Sequence, residues 1–236
     1  MQFIIPISIA LSVVIFCCFT AASHQKDLSE NSVPVVTILS PAKNIKFQWN
    51  SIVPYSIFVS DEEDGTSEYN EIAGNEVLLT VTYLADSSYV TNYLLDNSQS
   101  NQNSLLLMST STCFTCHAAR NKLIGPSFEL IARRYAGSPG RIDDLEKKVI
   151  SGTTGTWGDV KMPPHPDLEV DQAREMVRWI LENNADPDQT FYVGISGSFR
   201  TKEESGDETG KGVYVLTASY NDYGIKGKTG SNRQGK

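Results

Sequence analysis

The sequence predicts two domains of different class: an N-terminal all-β sandwich followed by an all-α domain, with a β-strand tail at the C-terminus. Three observations carry that expectation. Short runs of period-two alternation occupy residues 33–96, apolar residues recur at helical spacing through 105–189, and the uncharged stretch N-S-Q-S-N-Q-N-S at 97–104 separates them as a flexible linker. At 236 residues and 40% hydrophobic content the chain is long enough to bury a core. A net charge of -8 excludes nucleic acid as a partner, because releasing counterions requires a basic face.

Residues 1–23 read as a signal peptide or anchor. An almost wholly apolar run over 3–22 ends in the small residues Thr20, Ala21, Ala22 and Ser23, which suits cleavage after Ala22 or Ser23. No Lys or Arg precedes the run, and its length also suffices for an uncleaved span. Cys17 and Cys18 add lipid modification as a third outcome, against which stands the bulky Phe16. Each outcome places the remainder in the periplasm or another extracytoplasmic space, the last two with a membrane tether.

The β segment begins with the Val- and Thr-rich run at 34–39. Tyr55, Ile57 and Val59 then alternate with Ser56, Phe58 and Ser60, and Val77, Leu79, Val81 and Tyr83 with Leu78, Thr80, Thr82 and Leu84. Such strands between turn signals suggest an antiparallel sandwich. The acidic run from Asp61 to Asp64 offers carboxylates to calcium, but its spacing alone does not supply six oxygens, so a solvated turn is expected. A module this small buries little core and needs help from another segment. In the C-terminal extension, residues 190–236, positions 203–212 read as a loop and the last residues as a Gly- and Lys-rich tail. Between them Tyr214, Leu216, Ala218 and Tyr220 form a strand pattern that is expected either to return to the N-terminal segment or to open a further domain.

The chemistry centres on Cys113, Phe114, Thr115, Cys116 and His117, a C-x-x-C-H sequence that signals attachment of a c-type haem. Two thiols can add to two vinyl groups, and the adjoining imidazole can face the iron. With four Cys and three His in the chain, chance gives this pattern in roughly one such sequence per thousand. A zinc site needs two more soft ligands nearby and a redox dithiol needs a βαβ context; neither is present. The motif is expected at the end of a helix over 104–118. Gly125-Pro126 follows at a distance that lets the Pro126 carbonyl accept the second ring N–H of His117, while Pro126 also suits the first turn of the next helix.

Helices are expected over 127–135, 141–151 and 169–182. Between the last two lies a sixteen-residue loop, 152–167, rich in Gly and Pro. Crossing the far face of a flat cofactor accounts for its length, with Met162 offering a thioether as second axial ligand and the prolines restricting the backbone. His165 is the rival ligand, read as an exposed, pH-sensing residue. The indole N–H of Trp157 suits a haem propionate.

The ordered set C-F-T-C-H, I-G-P, R-R-Y, I-S-G-T-T-G-T-W-G, K-M-P-P and M-V-R-W-I, spread over 105–185, resembles the small bacterial class I c-type cytochromes. The resemblance implies an all-helical fold around one covalently bound haem c and single-electron transfer in the periplasm. It implies Cys113 and Cys116 as attachment points, His117 and Met162 as iron ligands, and Trp157 at the propionates. The run Pro34-Val35-Val36-Thr37-Ile38, with V-S-D-E-E-D-G at 59–65, resembles a PKD or related immunoglobulin-like module. That order of modules is similar to secreted proteins carrying a sugar or alcohol dehydrogenase domain, which suggests a dehydrogenase or respiratory-chain component as redox partner. The expected function is electron carriage and not catalysis, with Arg120, Lys122, Arg133 and Arg134 as a basic docking rim. The competing classes are a haem sensor or peroxidase with an open sixth position, and a carbohydrate-binding or adhesion protein.

Overall fold

Val35–Ser40 (β1) and Ile52–Asp61 (β2) pair antiparallel, Val36 opposite Val59 and Ile38 opposite Ile57. The computed structural model describes residues 31–96, 99–183, 186–203 and 212–224. The expected signal or anchor with Cys17 and Cys18, most of the 203–212 loop and the Gly- and Lys-rich tail lie outside the described residues. Gly65–Thr66 (β3) turns back on the end of β2, with Gly65 opposite Asp61. Val77–Leu84 (β4) starts a second sheet, and every residue from Val77 to Tyr83 is buried. Alternation in β4 therefore marks two buried faces, not a wet one and a dry one.

After β4 the chain turns helical: Val90–Asp96 (α1), Gln99–Thr110 (α2), Cys113–Cys116 (α3), Phe128–Tyr135 (α4) and Arg141–Ser151 (α5). A hairpin of Thr153–Gly155 (β5) and Gly158–Met162 (β6) follows, then Val170–Asn183 (α6). Three expectations are corrected by this stretch. Residues 99–104 of the expected linker are helical, because Ser104, Leu105, Leu106 and Met108 pack inward from α2. The helix expected over 104–118 is two helices, broken where the Thr110 hydroxyl donates back to the carbonyls of Leu106 and Leu107 and Thr112 takes φ 61°. The loop over 152–167 contains the β5–β6 hairpin.

Gln189–Val193 (β7) then pairs with β4, Thr82 opposite Gln189 and Leu78 opposite Val193. Ser196–Arg200 (β8) crosses to the first sheet and pairs with β2, and Val213–Tyr220 (β9) covers the other edge of β4 along its whole length. The two sheets close on Val59, Ile57, Leu79, Phe199, Ala218 and Tyr220. On the opposite face of β4, Leu78 joins Leu105, Met108, Phe128, Met176 and Trp179 in a second cluster.

The expected succession of an all-β domain and an all-α cytochrome domain is thereby corrected. From Asn31 onward the chain is one compact unit of mixed α and β structure. The helical stretch leaves and re-enters one sheet, between the adjacent strands β4 and β7. The strands at 33–96 do not close by themselves, since β4 would have both edges unpaired without β7 and β9. Among the described residues no helix is long and apolar enough to cross a membrane.

Deleting residues 213–236 removes β9 with Ala218 and Tyr220, and the cooperative unfolding transition followed by circular dichroism should disappear; a transition like that of the full chain would show that the remaining strands close alone. Leu79→Ala should cost about 3 kcal/mol in denaturant unfolding, as for a fully buried leucine.

Candidate cofactor site

The single turn of α3 sets Cys113 and Cys116 three residues apart on a short helix that starts from the left-handed Thr112. One turn brings residues at this spacing to the same side. Both cysteines are free and partly buried. Burial, reinforced by the neighbouring Cys116, pushes the Cys113 thiol up to about 11, so that it is protonated at neutral pH.

The chain leaves the helix at His117, whose backbone is extended and whose N–H donates to the Cys113 carbonyl at 2.9 Å. Its ring is fixed on two sides. Nδ1 lies 2.7 Å from the Pro126 carbonyl oxygen, and Phe128 stacks on the ring with centroids 5.6 Å apart and planes 17° apart. Burial holds the imidazole below its ordinary value, opposed by the bond to Pro126, so the ring is neutral at neutral pH. A carbonyl can only accept; Nδ1 therefore carries the proton and Nε2 keeps a lone pair. Gly125 is required for this approach, because a Cβ at that position would sit 2.5 Å from His117 Cε1. Pro126 precedes Ser127, whose hydroxyl caps α4 by accepting from the Leu130 N–H, so both functions considered for this proline are compatible.

Met162 ends β6 opposite Thr153. Gly152, at φ 75°, ends α5 in a conformation that favours glycine, and a Cβ there would lie 2.8 Å from the Met162 carbonyl oxygen. Glycine thus lets the methionine strand press against the end of α5. Trp157 occupies the hairpin tip between Gly155 and Gly158, both at positive φ, and is 36% exposed. It lies at a rim and not in the interior, with the Arg134 guanidinium 4.7 Å above its ring.

Cys113, Cys116, His117, Pro126, Trp157 and Met162 all line one cavity of about 330 Å³. That size is in the range of small-molecule and cofactor sites. His165 is not among the lining residues; it is half-buried, and its backbone N–H donates to the carbonyls of Val149 and Ile150, tying the loop to α5. Of the expected basic rim, Lys122 lines the cavity and Arg134 covers Trp157. Arg120 instead donates to the carbonyls of Asp186 and Gln189, and Arg133 pairs with Glu129. Sequence reasoning missed Met108 and Met176, two further thioethers in the wall, and Lys148 and Lys161. Met176 was visible only as part of the inward stripe of α6, and Met108 only as the end of an apolar run.

Two thiols one helical turn apart, a neutral imidazole with a free Nε2, and a thioether in one largely apolar cavity fit a covalently attached haem. No family model matches the chain. Cytochrome c-551 of Azotobacter vinelandii is 41% identical over 75 residues, which are 32% of this chain and 90% of that protein. The chain belongs to the cytochrome c-551/c-552 family. Cytochrome c-551 of Allochromatium vinosum is 35% identical over 77 residues, 33% of this chain and 82% of that protein. The crystal structure of wild-type Nitrosomonas europaea cytochrome c552 is 32% identical, covering 32% of this chain and 93% of that one with a TM-score of 0.31. These cytochromes are small electron-transfer haem proteins with one covalently attached haem c, and the present cytochrome carries one as well. Family membership accounts for about a third of the chain.

Gly125→Ala should displace the His117 ring and break its bond to Pro126. In the nuclear magnetic resonance spectrum this appears as loss of a slowly exchanging Nδ1 proton; a proton still protected in the variant would show that the ring had not moved.

Proposed function

We propose that this cytochrome is an extracytoplasmic carrier of single electrons, exchanging them with a dehydrogenase or respiratory-chain protein. The observation that carries the proposal is the common cavity lined by Cys113, Cys116, His117 and Met162. Cys113 and Cys116 would supply the two thioether sulfurs that hold the haem, and His117 Nε2 and Met162 Sδ would be the donors to its iron. Bound there, the haem supplies a one-electron ferric–ferrous couple.

The chain's own residues hold geometry and exclude water. The Pro126 carbonyl keeps the His117 proton on Nδ1 and makes Nε2 the better donor. Met162 is a soft neutral ligand that favours the reduced state, and its strand is tethered by the hairpin, so a weak bond to sulfur need not order a free loop. Trp157 and Arg134, together at the rim, suit the anionic propionates. Lys122 and Lys161 in the cavity wall and Arg134 over Trp157 bring positive charge to the cavity within a chain of net charge -8. An acidic surface on the partner would be steered to it, at a rate that falls as salt rises. Export is supported by the apolar N-terminal stretch.

Met162→Ala should abolish the weak long-wavelength sulfur-to-iron band of the ferric protein, lower the midpoint potential, and allow carbon monoxide to bind the ferrous form. Wild-type protein that already binds carbon monoxide readily would favour a sensor or peroxidase with an open sixth position.

A further inference from the structure

Far from the cofactor cavity in sequence, the start of the described chain, the β2–β3 turn and the residues after β9 meet in an acidic corner. Asn31 Nδ2 donates to Asp222 Oδ2 at 2.8 Å, and the Ser32 N–H and hydroxyl donate to Glu63 Oε1 at 3.2 and 3.1 Å. Asp61 Oδ1 accepts the N–H groups of Glu63 and Asp64, each at 2.9 Å. Asp64 Oδ2 accepts from the Tyr220 hydroxyl at 2.7 Å and the Tyr223 N–H at 3.2 Å.

These donors serve one set of oxygens and leave another set bare. Asn31 Oδ1, Asp61 Oδ2 and Glu63 Oε2 are buried and have no hydrogen-bond partner among the described residues. Asp61 is only 6% exposed, so the expectation of a solvated turn fails at this residue, whereas Glu62 is exposed and Glu63 and Asp64 are half-buried. A buried acceptor without a donor costs about 1–3 kcal/mol, and more when it is charged. Three in one corner, beside the further carboxylates of Asp64 and Asp222, call for a positive charge and not for another acceptor.

We propose that this corner binds one calcium ion through Asp61 Oδ2, Glu63 Oε2 and Asn31 Oδ1, with water completing the shell. The donors are all oxygen, which suits a hard cation, and they mix carboxylates with an amide on separate segments, which suits the flexible geometry of calcium better than the strict octahedron of magnesium. Among the described residues no three Asp, Glu, His or Cys side chains already form a metal cluster. The site is accordingly two carboxylates and one amide oxygen drawn together by the ion. Its effect is to clamp residues 31–32 to the β2–β3 turn, beside Asp222, whose Oδ2 accepts from Asn31 Nδ2.

The test uses the full haem-loaded chain, stripped with a chelator and titrated with calcium chloride by calorimetry and thermal unfolding. One ion per chain should bind and raise the unfolding temperature, with magnesium chloride much less effective and the haem absorbance unchanged. Asp61→Asn should weaken calcium binding at least tenfold, and Glu63→Gln, at a less buried position, provides the same test should the first variant not fold. Absence of heat and of any thermal shift up to about 10 mM calcium, roughly tenfold beyond the weakest extracellular calcium modules, would overturn the proposal. So would wild-type affinity in either variant.

Discussion

The pairing of both edges of β4 is the constraint on which the rest of the structure depends. An interior strand must satisfy two rows of backbone groups and cover two faces. One row is met by β7 and the other by β9, so the chain beyond Leu84 has to come back beside Thr82 at Gln189. Everything between is a closed excursion whose two ends are fixed one strand apart. The Tyr93 hydroxyl, 2.7 Å from Thr82 Oγ1, and the Gln189 amide, 3.2 Å from the same oxygen, join the two ends of the excursion by side chains as well as backbone. The faces of β4 are used as fully as its edges: Leu79 belongs to the core between the sheets, and Leu78 to the core under α2 and α6.

This arrangement gives the cofactor segment a rigid floor. Met108 and Met176 connect the cavity wall to the cluster that contains Leu78, so the wall is continuous with the sandwich. The side chains proposed to hold the cofactor are then placed by local devices. The left-handed Thr112 starts the one-turn helix of thiols, Gly125 admits the His117 ring beneath the Pro126 carbonyl, and Gly152 admits the methionine strand against α5. In each case a backbone conformation or a missing Cβ creates a close approach that a larger residue would prevent.

The six residues expected at the candidate site all line one cavity, whereas the architecture was less legible in the sequence. C-x-x-C-H declares its chemistry through residue types at fixed spacing, and Gly125-Pro126 and Met162 follow in the order a cofactor between two loops demands. The helix over Arg141–Ser151 was readable to the residue because glycines punctuate both ends. The linker was misread because composition reports solubility, whereas the Ser104 to Met108 face of α2 is held by contacts with distant residues. Alternation could identify β9 as a strand but could not name its neighbour, since register between strands more than a hundred residues apart is set by the packed core. The acidic run reads as solvated because runs of carboxylates usually are, yet Asp61 is buried, with Oδ1 accepting the N–H groups of Glu63 and Asp64.

The central claim is that sulfur from one helical turn fastens the haem to the chain. Peptide mass spectrometry of protein exported from a cell able to attach haem tests it most directly. The account predicts a single peptide containing Cys113 and Cys116 that carries one haem, with neither thiol open to alkylation. Protein in which both cysteines alkylate freely and no peptide bears the haem mass would contradict it.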